Sequence, residues 1–224
     1  MLTVHTADAV HGAADAPAGA DAVAVDGAVV VAIGRYEAVA SAHPGARVRR
    51  WSGLITPGLL NPGAPALLEA AYHPDPREAD ELGTEPLTGA ALAALGMDET
   101  RWGASARRGL QRMLRHGTTA VRGPFARPAV RTAVARSGLR VHAPARPAAG
   151  PVVADPLSAV PEPTGLDPLA SVPDPAEAFA APLTVGGPAD LAVFGVRDMA
   201  ELAETGAGSC VATVLAGRLV FRRG

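Results

Sequence analysis

Six histidines, one cysteine and a complete absence of lysine bound the chemistry open to this chain of 224 residues. His5, His11, His43, His73, His116 and His142 include no pair at the i, i+4 spacing that lets two imidazoles share a metal from one helix face, and no His-x-His. Ser52, Ser137 and Ser209 sit in no Gly-x-Ser-x-Gly elbow. Neither a P-loop nor a G-x-G-x-x-G is present. Cys210 precedes an apolar β run and reads as a small buried residue rather than a nucleophile. Without lysine, Schiff-base chemistry is closed, and so is a lysine carbamate bridging two metals, because arginine does neither at ordinary pH. Arg122 and His142 each end a short apolar run; together they could bind an anionic or carboxylate ligand, the arginine by bidentate contact, but both read first as framework residues or as lining of the strap. The stretch from Arg101 to Arg146 holds many arginines and neither Asp nor Glu. Few aromatics accompany them for stacking on bases, so the stretch reads as solvated helix faces complementing the acidic 75–99 segment, not as a nucleic-acid face.

The elements that must position these residues follow from periodicity. Leu2–His5, Ala22–Val25 and Ala28–Ile33 alternate as strands, and Asp26-Gly27 between the last two is a hairpin signal. Ala46–Trp51 is a further strand with Val48 and Trp51 as inward residues. Leu54–Leu60 reads as one buried strand entered through the Pro57-Gly58 turn, and the helix Ala66–Tyr72 follows with Pro65 at its start. Residues 73–100 are polar, with a solvated acidic cluster over 77–85 and a short helix at Leu87–Leu95. Asp98–His116 has the strongest helical spacing: Trp102, Ala106, Leu110, Met113 and Leu114 share one face. Thr118–Val121 is a strand, Ala126–Ser137 a helix ended by Gly138, and Leu139–His142 a third strand. This alternation implies parallel pairing with right-handed crossovers. Residues 143–182 are dominated by Ala and Pro, which forbid long helix or central strand. Val152, Val153, Leu157, Val160, Leu166, Leu169 and Phe179 make that stretch too apolar for a solvated tail, so it reads as an extended strap across an apolar surface. Strands return from Leu183.

Composition narrows the class. A hydrophobic content of 48% supports a sizeable core. No apolar run reaches the ~18 residues of a membrane span. No basic segment leads into an apolar one at the N-terminus, so a secretory signal is not expected. One cysteine forbids an internal disulfide and fits a cytoplasmic protein. A formal net charge of −2 gives no overall pull towards nucleic acid or anionic membrane.

Several segments carry a resemblance. Pro57-Gly58-Leu59-Leu60-Asn61 resembles the P-G-[LIVF]-[IV]-[DN]-x-H-x-H segment that opens the catalytic barrel of the metal-dependent amidohydrolases, the imidazolonepropionase-like and dihydroorotase-like hydrolases. Asp26–Gly34 resembles the β-sandwich segment that precedes that barrel. Leu114, Gly117, Thr119 and Arg122 resemble the end of its second βα unit, and Leu139–His142 the third strand. Gly187–Phe194 and Val211–Val220 resemble the closing strands, which in the family fold back onto the N-terminal sandwich. The resemblance implies a divalent metal held first by the two histidines of H-x-H. Gly63 and Pro65 stand at those positions, and neither side chain can coordinate a metal. A complete barrel takes eight strands and ~250 residues; about three strands are recognisable between Leu54 and Pro182 by this periodicity. The later strands, which in the family bring further histidines and an aspartate, have no counterpart. Asp190 matches the sandwich motif outside the active site.

The sequence therefore reads as α/β plus β. Residues 1–53 and 183–224 form a composite β-sandwich domain; residues 54–182 form a partial, about three-strand remnant of a (β/α) barrel, with the strap over 143–182. The function expected is that of a degenerate imidazolonepropionase-like protein, non-catalytic, binding a small ligand or a protein partner without a cofactor. The alternative is a hydrolase of carbon–nitrogen (non-peptide) bonds with a rebuilt site around His142, His116, His73 and an acid from 75–85. A third reading is a subunit that docks on a complete enzyme. Three parallel strands leave an edge that the strap, a second copy or a partner protein must cover. Arg122, His116 and His142 are the candidate site residues; no nucleic acid or membrane partner is expected.

Overall fold

The computed structural model describes residues 1–14, 16–144 and 165–224. Val152, Val153, Leu157 and Val160 of the expected strap lie outside the described residues. In chain order the elements are β1 (Leu2–Thr6), β2 (Ala9–Val10), β3 (Ala22–Asp26), β4 (Val29–Gly34), α1 (Tyr36–Ala42), β5 (Arg47–Arg50), β6 (Leu54–Pro57), β7 (Leu59–Asn61), α2 (Ala64–Glu69), α3 (Ala79–Leu82), α4 (Gly89–Ala93), α5 (Glu99–Leu114), β8 (Thr118–Arg122), α6 (Pro128–Ser137), β9 (Arg140–His142), β10 (Leu191–Phe194), α7 (Met199–Thr205), β11 (Cys210–Leu215) and β12 (Arg218–Arg222). They divide into two units. The first comprises Met1–Leu60, Met113–Ala120 and Asp167–Gly224; the second comprises Asn61–Arg112 and Val121–Leu166.

The first unit holds two mixed sheets, ordered β4-β3-β1-β5 and β12-β11-β10-β6-β2. Asp26 pairs with Val29 across the expected hairpin, so Gly27-Ala28 is a two-residue turn, and Gly27 supplies its positive φ of 56°. Alternation then sorts side chains to two faces. Val23, Val25 and Val30 pack with Ile55, Leu191, Val193, Ala212 and Val214 of the other sheet. Val4, Ala22 and Ala24 pack with Val39 of α1. Burial on both faces explains why β3 is apolar almost throughout. Trp51 packs against the inter-sheet core as expected. Val48 does not turn inward; it is 39% exposed. β5 is an edge strand, and its register places Val48 beside Val4 on the α1 face, outside both apolar clusters.

The run Leu54–Leu60 is two strands, not one. β6 pairs antiparallel with β10, whereas β7 begins a separate parallel sheet ordered β7-β8-β9. Gly58 hands the chain from one to the other. Its N–H donates to Asp190 O at 3.1 Å and its carbonyl accepts from Ala180 N at 2.9 Å. A Cβ at Gly58 would fall 2.0 Å from Thr119 Oγ1 and 2.2 Å from its Cγ2. Thr119 is fully buried and branched, so it has nowhere to go. Gly58→Ala is therefore expected to destabilise by roughly 1–3 kcal/mol through overpacking. A urea midpoint unchanged from wild type would show that the hand-over tolerates a side chain.

The described part of the strap also departs from extended chain. Asp167-Pro168 and Asp174-Pro175 each start a 3₁₀ turn, over Pro168–Ser171 and Pro175–Ala178, with the aspartate accepting from the backbone two residues on. These turns still cover apolar surface: Leu169, Ala178 and Phe179 pack with Leu59, Phe194 and Leu202.

In the second unit α2 starts at Ala64, two residues before the expected position, because a turn at Asn61 begins the helix early; Pro65 lies in its first turn. α5 is capped as its sequence predicts, Arg101 N donating to Asp98 Oδ1 at 2.7 Å. Within the acidic cluster Asp80, Glu81 and Glu85 are exposed as expected, whereas Glu78 is tied down. Glu78 accepts from the Tyr72 hydroxyl and from Arg101, and Asp75 accepts from Arg108 at 3.2 Å. Arg101 and Arg108 also lie over the Tyr72 ring, 4.8 and 5.5 Å from its centre. The arginines of α5 thus complement the acidic stretch that precedes them. Among the described residues no barrel closes.

Candidate anion-binding site at the strand ends

Two backbone bonds set the register of the parallel sheet: Leu59 N donates to Gly117 O at 2.9 Å, and Gly123 N donates to His142 O at 3.0 Å. Parallel geometry then places Leu59 level with Thr118 and Arg122 level with His142. Side chains alternate along each strand, so Asn61, Arg122 and His142 share one face. All three belong to the second unit and end β7, β8 and β9 at their carboxyl ends. Adjacent strands lie about 4.8 Å apart and two residues advance about 6.6 Å, which sets Asn61, Arg122 and His142 on neighbouring strands of that face.

Each is positioned for a local reason. Pro62 stops β7, and Asn61 Oδ1 accepts from Gly63 N at 2.9 Å, turning the chain into α2. That bond fixes the amide: the reverse assignment would set N–H against N–H. Nδ2 is left as a buried donor with no acceptor among the described residues, and Asn61 is fully buried. Arg122 is half-buried, and its Nε is likewise buried without an acceptor. His142 is half-buried beside it. An unpaired buried donor costs about 1–3 kcal/mol, and a ligand oxygen recovers it. An amide donor, a guanidinium and an imidazole on one face suit a carboxylate or a similar planar anion.

No family model matches the chain, and no curated protein matches it. Solved structures do. The chain is similar to A. niger ochratoxinase (16% identity over 63% of this chain and 31% of that one, TM-score 0.41). It is similar to E. coli guanine deaminase (19% identity, 64% of this chain and 36% of that one, TM-score 0.43). It is also similar to an amidohydrolase from an environmental sample of the Sargasso Sea (19% identity, 64% and 33%, TM-score 0.40). The chain spans about a third of the length of these solved structures.

The divalent metal implied by the amidohydrolase resemblance does not fit the residues present. Gly63 and Pro65 offer no donor side chain, and no group of three His, Cys, Asp or Glu suited to a metal occurs among the described residues. The other candidates are dispersed. His116 lies in the first unit, on a surface cavity with Arg115, Arg222 and Arg223. His73 is 1% exposed: Gly109 leaves room for its ring, its Nε2 lies 2.9 Å from Leu67 O, and its backbone N–H donates to Ser105 Oγ. Burial holds its pKa below the usual value, with Arg112 and Arg108 acting in the same direction. That is a packed histidine. The acids nearest it in sequence, Asp75 and Glu78, already serve arginines. Asp190 ties a turn, accepting from Ala216 N at 2.7 Å. Cys210 is buried, which pushes its thiol up to about 11 and makes it a poor nucleophile. Sequence reasoning singled out Arg122 and His142 but passed over Asn61. The signal was the asparagine itself: Asn-Pro-Gly predicts an amide held by its own turn, with the other end left to donate.

Proposed function

We propose that this chain is a non-catalytic relative of the amidohydrolases that holds a small carboxylate at the ends of β7, β8 and β9. One observation carries the reading: the Nδ2 of Asn61 is a fully buried donor without an acceptor among the described residues, on the face it shares with Arg122 and His142. The replacement of both H-x-H positions by Gly63 and Pro65 supports recognition over metal-assisted hydrolysis. Arg122 supplies the charge and a planar fork, Asn61 a fixed neutral donor, and His142 a third contact.

The test uses untagged protein grown with zinc, iron and manganese, and titrates succinate and formate by calorimetry. Arg122→Gln is expected to weaken carboxylate binding about 10- to 100-fold, the loss of one charge-assisted hydrogen bond. Near-stoichiometric metal by elemental analysis, or carboxylate affinity unchanged in Arg122→Gln, would sink the proposal. Metal together with turnover of a cyclic amide that disappears in His142→Ala would instead establish a carbon–nitrogen hydrolase.

A further inference from the structure

The paired sheets of the first unit each end in an arginine-bearing edge strand on the same open side. β5 closes one sheet and β12 the other. Register sets Arg47 beside Thr3 and Arg49 beside His5. Across the gap, Arg222 pairs with Ala212, a residue of the inter-sheet core, and its guanidinium stands 5.7 Å from the Trp51 ring. Partial desolvation, and after it the nearby charges of Arg47 and Arg222, lower the pKa of Arg49. A cavity of about 640 Å³ opens here, lined by Thr3, His5, Arg49, Gly217 and Arg218. Among the described residues no carboxylate pairs with Arg47, Arg49, Arg218 or Arg222.

His5 makes this more than a charged edge. It is 1% exposed. Its Nδ1 accepts from Trp51 Nε1 at 3.2 Å, and the two rings lie nearly parallel. That bond places the imidazole proton on Nε2, which has no acceptor among the described residues, in a ring that lines the cavity. Charges on edge strands ordinarily serve to block pairing with other strands. That purpose needs neither a buried histidine whose ring lines the same cleft nor a half-buried arginine beside it.

We propose that this cleft binds a small polyanion of the diphosphate class, with Arg49 and Arg218 around the phosphates and His5 Nε2–H donating to one oxygen. The cavity falls within the ~300–1,000 Å³ range of small-molecule sites. The glycine turns on its floor let the backbone come close: a Cβ at Gly217 would fall 1.7 Å from Gly27 O.

The experiment titrates inorganic pyrophosphate into the full chain, with orthophosphate and succinate as comparators. His5 is followed by NMR, and heat by calorimetry. Pyrophosphate is expected to bind more tightly than orthophosphate, to raise the His5 titration midpoint from about 4, and to lose about 10- to 100-fold in affinity in Arg49→Gln and in Arg218→Gln. Arg122→Gln is expected to leave it unchanged, which separates this cleft from the strand-end site. Should the edge arginines only block strand pairing, Arg49→Gln aggregates while pyrophosphate neither binds nor moves the His5 signal, and the proposal falls. Because the His5 signal is read in the wild-type protein, a poorly folding variant does not spoil the test. Saturable binding of a short oligonucleotide that pyrophosphate cannot displace would also overturn it.

Discussion

Phe194→Ala is expected to destabilise the protein by about 3–5 kcal/mol, the range for deleting a buried aromatic ring. Phe194 is fully buried and pairs with Leu54 on β6 and, at a bulge, with Cys210 on β11. Its ring packs with Leu59, Leu169, Val196, Leu202 and Ala207, drawn from a strand, a 3₁₀ turn and a helix. It also lies against Gly117, where a Cβ would come within 2.9 Å of the ring. Gly117 has a φ of 74°, so the glycine serves both its backbone and the ring beside it. With so many separate elements converging, the cavity has no single neighbour that can fill it. Urea unfolding reads the loss directly, and the melting temperature should fall by roughly 6–20 °C for a chain of this size. A loss under about 1 kcal/mol, well below the cost of an unfilled cavity, would mean that the 3₁₀ turns slide in to fill the space.

Stability is also expected to rise by about 3 kcal/mol between pH 4 and pH 6.5 on account of His5 alone. Burial, helped by Arg49, holds its pKa at about 4 against an ordinary value of 6.5. In that window the unfolded chain takes up a proton that the folded chain refuses. The folded state is therefore favoured in full above pH 6.5 and loses that advantage as the pH falls towards 4. Each pKa unit is worth about 1.4 kcal/mol, which gives the figure above. His73 shifts in the same direction and steepens the same limb. Measured across this range, the unfolding free energy of His5→Asn should lose one proton's worth of slope and keep the part due to His73. An identical slope in the variant would assign the acid sensitivity to other groups.

Much of the architecture could be read in advance because local signals agreed with tertiary ones. Asp26-Gly27 is a hairpin, Trp102, Ala106, Leu110 and Met113 are buried on α5, Gly138 ends α6, and β7, β8 and β9 are parallel. Misreadings arose where a neighbour decided the outcome. Val48 alternates like a core residue, but nothing in the chain reveals that β5 is an edge. Leu54–Leu60 looks like one strand because the partition at Gly58 depends on Thr119, distant in sequence. In the acidic cluster only Glu78 departs from the solvated reading, because Tyr72, which gathers it with two arginines, carries no charge to mark it. At the strand ends, Arg122 and His142 were visible as polar residues closing apolar runs. The arginine cleft was not, since β5 and β12 lie at opposite ends of the chain and share no motif.

The pairing of β6 with β10 has a consequence for synthesis. Leu54 and Ile55 leave the ribosome long before their partners Phe194 and Val193, which follow them by about 140 residues in the chain. Until β10 is made, β6 has only the two-residue β2 beside it, and the rest of its sheet cannot form. Such long-range closure is slow and leaves a nascent chain prone to aggregation. Premature termination anywhere before β10 would thus yield a product with half a sheet and no means of finishing it.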